Sequence, residues 1–273
     1  MISSLLIAVT LSAHAQDAAR GEVLAAFGGC ASCHVSPQGE AYAGGYAIET
    51  RFGTFYGPNI TPDFSQGVGS WSQADFLRAM REGHGPTGEP YWPAFPYLWF
   101  TRASDTDLWD LWAYLKTVPA NPRPNDEHHI KALYKPDLWL WRAIAFRPGS
   151  LKLPADTPED VALGAQLVEG IGHCAGCHTP LNGFGKPIAK RAFGGNHQPP
   201  ERAPNITPDP DAGIGGWTRS DLTTFFETGM TGEGDYVGGH MARIVENGTA
   251  KLTEPERAAI VAYLLSLGPV GAE

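Results

Sequence analysis

The sequence predicts a mostly α-helical fold built from two tandem copies of one domain, joined by a linker rich in proline and tryptophan. Three observations carry that prediction. First, landmarks recur in order: Pro58-Asn59-Ile60-Thr61-Pro62-Asp63 returns letter for letter as Pro204-Asn205-Ile206-Thr207-Pro208-Asp209, and Gly67-Val68-Gly69-Ser70-Trp71 returns as Gly213-Ile214-Gly215-Gly216-Trp217. The offset grows from 144 residues at Cys30/Cys174 to 149 at Ala113/Ala262, as a duplication with small insertions would give. Second, helix start and stop signals recur in both copies. Third, no strand-like alternation of any length interrupts them. A chain of 273 residues, 42% hydrophobic and 18% charged, also has the size of two globular domains.

Taken in order, residues 1–15 hold a short apolar run, Leu5 to Leu11, ending at Ala13-His14-Ala15. That A-x-A ending reads as a secretory signal peptide cleaved after Ala15, although the positively charged start of such a peptide is missing. No later stretch reaches the ~18 apolar residues of a membrane span, so a soluble, exported, periplasmic chain is expected. The first domain is assigned to residues 16–118. It opens with a helix over 17–28, runs into a cysteine motif and a long loop, continues with a helix over 73–82 between Ser72 and Gly83, and closes with a helix capped by Ser104. Residues 119–158 form the linker, with seven prolines and the run Leu138-Trp139-Leu140-Trp141. Its tryptophans are expected to pack between the domains, the alternative being a membrane-surface or docking patch. The second domain, residues 159–273, repeats the plan with helices over 159–171 and 219–228, the latter between Thr218 and Gly229, and a last helix capped by Thr253.

A net charge of −9 belongs wholly to residues 16–273, because residues 1–15 contain no Asp, Glu, Lys or Arg. It argues against nucleic acid, which requires a basic face. A partner with a basic docking patch, or simply a solvated acidic surface, fits it equally well.

All four cysteines fall in two motifs, Cys30-Ala31-Ser32-Cys33-His34 and Cys174-Ala175-Gly176-Cys177-His178. C-x-x-C-H is the attachment sequence of c-type haem. One helical turn separates the sulfurs, so each can form a thioether with one vinyl group of the same porphyrin, and the following histidine, His34 or His178, sits beneath the iron as proximal ligand. A disulfide, a redox dithiol or half a zinc site would explain a lone C-x-x-C. Two copies with the trailing histidine and no other cysteine point instead to two covalently bound haem c groups and their iron.

Between motif and helix, Asn59, Thr61 and Trp71, with Asn205, Thr207 and Trp217, are polar donors where buried propionates would need hydrogen bonds. Turn and core roles compete with that reading.

The two motifs, with their P-N-I-T-P-D and G-x-G-x-W signatures, resemble the class I diheme cytochromes c. They are similar to the cytochrome c subunits that accept electrons from membrane-bound alcohol and gluconate-type dehydrogenases, which usually carry three such domains. The resemblance implies tandem class I cytochrome c domains and electron delivery toward a respiratory chain. It also implies a distal methionine at each iron, which raises the potential and closes the site to small molecules. Met241, in Val237-Gly238-Gly239-His240-Met241 before the last helix, fills that role in the second copy, with Met230 and His240 as alternatives. Aligning Thr87-Gly88-Glu89 with Thr231-Gly232-Glu233 puts Phe95 or Pro96 opposite Met241, and Ala103 replaces another common methionine. His84, Met80, His128, His129 or no side chain at all then remain for the first iron. The leading function is electron transfer; the alternative is a haem enzyme or small-ligand sensor, for example a peroxide reductase, working at an open first site.

Overall fold

The computed structural model describes residues 16–131, 138–197 and 202–271; the expected signal peptide at 1–15 lies outside the described residues. Helix α1 (Ala18–Phe27) leads into a single turn, α2 (Cys30–Cys33), and α3 (Gln73–Glu82), α4 (Tyr97–Phe100) and α5 (Asp105–Leu115) complete the first copy. After α6 (Leu138–Ala145) the plan returns as α7 (Glu159–Glu169), the turn α8 (Ala175–His178), α9 (Arg219–Thr228), α10 (Gly239–Asn247) and α11 (Glu254–Ser266).

The expected caps hold their helices. Ser72 and Thr218 form capping boxes with Asp75 and Asp221, each satisfying two otherwise orphaned N–H groups, and Thr253 does so with Glu256. Gly83 and Gly229 end α3 and α9 in the left-handed conformation that glycine adopts without a Cβ clash.

Each copy is organised around one close helix crossing, α1 on α5 and α7 on α11. A methyl group at Gly21 would lie 1.9 Å from the Asp110 carbonyl oxygen, and one at Gly164 would lie 1.9 Å from that of Ala259. Only glycine permits that approach, which buries Leu24, Leu108 and Leu111 in one copy and Leu167, Val168 and Ile260 in the other.

Four features differ from the sequence reading. A small antiparallel sheet, β1 (Ala47–Thr50), β2 (Gly53–Tyr56) and β3 (His129–Ile130), joins the helices. Strands of four, four and two residues are too short to show alternation. The segment expected to begin the linker instead returns over the first copy: β3 pairs with β2, and the Tyr56 N–H donates to His128 Nδ1. Met241 lies on helix α10 rather than in a loop. Finally, the linker tryptophans divide. Trp141 donates to the Phe184 carbonyl of the second copy, while Trp139, expected between the domains, is 63% exposed.

Candidate functional site

Each C-x-x-C-H segment is one turn of helix whose next residue is held by backbone: the N–H of His34 donates to Cys30 O and that of His178 to Cys174 O, both at 3.0 Å. A loop then closes over each histidine. Gly44 N–H donates to His34 O and Gly195 N–H to His178 O, at 2.8 and 2.9 Å. Gly57 fits so tightly against the first turn that a Cβ there would lie 1.7 Å from Cys33 O. This clamp brings Pro58 O to 2.7 Å from His34 Nδ1, and Pro204 O to 2.7 Å from His178 Nδ1. A carbonyl can only accept, so Nδ1 carries the proton in both rings and Nε2 is left with its lone pair. Burial holds both imidazoles below the usual histidine pKa and therefore neutral.

The sulfurs are equally telling. Burial pushes the Cys30 and Cys174 thiols up to about 12, so neither is a ready thiolate. Neither enters a disulfide, and among the described residues no three His, Cys, Asp or Glu side chains gather as a metal cage. A thioether carries no charge and tolerates such surroundings. Two cysteines one turn apart, the first of each pair desolvated and neutral, beside an imidazole whose Nε2 keeps its lone pair, fit covalent haem.

The Asn and Thr of the repeated loops are buried, but their donors are spent within the protein. Asn59 Nδ2 donates to the carbonyls of Asn121 (2.7 Å) and Arg123 (3.0 Å), while Oδ1 accepts from Thr61 N–H (2.9 Å) and its hydroxyl (2.7 Å). Asn205 donates to Val270 O at 2.5 Å and accepts from Thr207 N–H (2.8 Å) and its hydroxyl (2.7 Å). These pairs therefore close each domain onto the segment that follows its last helix. Trp71 and Trp217 are half-buried, and among the described residues neither indole N–H has an acceptor.

The distal candidates separate. Met241 packs against the core from α10, whereas Met230 is 36% exposed. Met80 lies in the core of the first copy with Phe76 and Trp112. His84 follows Gly83, its Nδ1 is 3.1 Å from Gly88 O, and its ring meets the edge of Trp139. Phe95 joins an aromatic group with Tyr91, Tyr97 and Phe100. His128 and His129 pack against Phe55 and Tyr56 on the sheet.

One feature had no sequence signal: the two cysteine turns abut. His173, immediately before Cys174, places Nε2 3.2 Å from Gly28 O, two residues before Cys30. A Cβ on Gly28 would touch Ile171, one on Gly172 would touch Phe27, and one on Gly176 would lie 3.2 Å from the Trp99 indole nitrogen.

Comparison with known proteins agrees with this duplicated site. The family model described as cytochrome c matches twice, over residues 18–119 and 161–268. A diheme cytochrome c-type protein of Cereibacter sphaeroides is 38% identical over 91% of this chain and 85% of its own length. The cytochrome c subunit of a quinone-type alcohol dehydrogenase from Gluconobacter oxydans is 36% identical over 97% of this chain and 59% of its own length. The fructose dehydrogenase cytochrome subunit of Gluconobacter japonicus is 35% identical over 96% and 54%. The chain thus spans little more than half of those two subunits.

Proposed function

The chain belongs to the cytochrome c family, and on that premise we propose that it is an exported two-haem electron carrier, taking electrons from a dehydrogenase-type donor and passing them toward a respiratory acceptor. It carries two covalently bound haem c groups, at Cys30/Cys33 and Cys174/Cys177. Each supplies a reversible one-electron iron couple. His34 and His178 would hold that iron through Nε2, and the carbonyls of Pro58 and Pro204 fix the tautomer and would raise ligand basicity. Trp71 and Trp217 offer their N–H groups to propionates in this reading. Met241, packed against the core from α10, would be the second protein ligand at the second site. At the first site His84 is the candidate, because its Nδ1 beside Gly88 O repeats the arrangement of the two proximal histidines. A histidine in place of methionine lowers the potential, so electrons run from the first site to the second.

The abutting cysteine turns are the observation that carries this reading: haem groups attached there would be neighbours within one molecule, which favours electron exchange between them. Phe95 opposite Met241 favours a second reading, in which the first site is open and takes a small ligand. The optical spectrum of the reduced protein with and without carbon monoxide decides. If electron transfer is the whole function, neither haem responds, and His84→Ala makes one of them respond. A response in the unaltered protein that Phe95→Met abolishes sinks the carrier reading in favour of the open site.

A further inference from the structure

Helix α6 is built inside out. Its one charged residue, Arg142, is buried, donating to the carbonyls of Glu82 and Gly83 and lying over the rings of Tyr97 and Phe146 at 4.8 and 5.4 Å. Its apolar residues face water: Trp139, Leu140 and Ile144 are 63%, 56% and 62% exposed. Phe184, the most exposed of these side chains at 81%, joins them through the Trp141 Nε1 bond to its carbonyl. The helix is pinned to the first copy through Arg142 and to the second through Trp141, so this face cannot fold away. A surface helix normally presents the opposite pattern.

The surroundings select a partner. Lys186 Nζ lies 3.5 Å from Ile144 O, Arg51 donates to Asn182 O beside Phe184, Lys131 donates to Arg51 O, and Arg147 caps the end of α6. Besides the buried Arg142, residues 128–153 hold four Lys or Arg against one Asp, in a chain whose net charge is −9. Tryptophan and aliphatic side chains ringed by long cations match the boundary between headgroups and acyl chains, where indoles settle and Lys and Arg extend toward phosphate. We propose that the α6 face with Phe184 docks on the surface of an anionic phospholipid bilayer.

The test uses the haem-loaded protein and sedimentation with vesicles of phosphatidylcholine alone or mixed with phosphatidylglycerol. Binding is expected only to the mixed vesicles, weakening with salt. The double variant Leu140→Ser/Ile144→Ser should reduce it by about tenfold or more, given the apolar area removed, without altering the haem spectrum. If that variant folds poorly, Arg51→Glu/Lys186→Glu should produce the same loss through charge alone. Absence of binding to the mixed vesicles, or binding that both double variants leave intact, overturns the proposal. So does a dimer of the wild-type protein that the serine variant dissolves, which would assign the face to a second copy. Vesicle binding involves no redox step, so its failure leaves the electron-carrier reading standing, and failure of the carbon monoxide test leaves this one standing.

Discussion

His173 holds a backbone conformation that the first copy gives to glycine: φ is +36° at His173 and +64° at the corresponding Gly29. A side chain there costs on the order of 1–2 kcal/mol. What the ring returns is its contact with Gly28 O and an edge-on contact with Phe100, centroids 5.3 Å apart. His173→Ala keeps the strain and loses both contacts, whereas His173→Gly loses the contacts and relieves the strain. Denaturant unfolding of the haem-loaded protein should therefore find the alanine variant less stable than the glycine variant by about 1 kcal/mol. Equal stabilities would mean the backbone here is unstrained. At this scale the paired cysteines were legible in the sequence because covalent attachment to one porphyrin dictates their spacing. The carbonyls of Pro58 and Pro204 were not, since they reach the imidazoles only through a loop clamped 24 or 26 residues downstream. Asn59 and Thr61 read as free donors for the same reason: their partners, Asn121 and Arg123, lie about half a domain away in sequence.

Helix ends are local events, and their signals were readable: α3 and α9 occupy the residues their caps predict. The sheet and the outward face of α6 depend on long-range pairing that no local pattern encodes. His128 shows how such pairing is held. Its Nδ1 accepts the Tyr56 N–H, which requires an unprotonated nitrogen, and partial desolvation beside Phe55 lowers its pKa below the ordinary 6.5. The unfolded chain thus binds the proton more readily, so this contribution is complete above pH 6.5 and is lost as pH falls through the lower folded value. Hydrogen exchange at the amides of Tyr56 and Lys131 should accelerate between neutral pH and pH 5, relative to an α1 amide, after correction for intrinsic rates. His128→Phe should remove that acid-dependent component, and persistence of the component in the variant would place the titrating group elsewhere.

Between the copies, Arg102 pairs with Glu169, which also accepts from the Tyr263 hydroxyl at 2.8 Å, and Arg20 meets Glu256 at 2.5 Å. Arg102→Met leaves the Glu169 carboxylate, whose side chain is 13% exposed, without its cation. The cost should be about 1–2 kcal/mol, below that of a fully buried pair because the Arg102 side chain is 36% exposed. Thermal unfolding should broaden as the copies uncouple, and an unchanged midpoint and width would show that apolar contacts alone join them. Duplication itself was evident from the repeated motifs, but the way the copies meet was not, because Ile171, His173 and Trp99 fall outside every repeated landmark. The closing segments carry a consequence for anyone dividing the molecule. The first copy receives Asn121, Arg123, Asn125 and strand β3 from beyond its last helix, as the second receives Val270. A fragment cut at Val118 would leave the Asn59 side-chain amide without its acceptors and β2 without β3, so the first copy extends at least through Lys131, and the connector between the halves is correspondingly shorter than its prolines suggest.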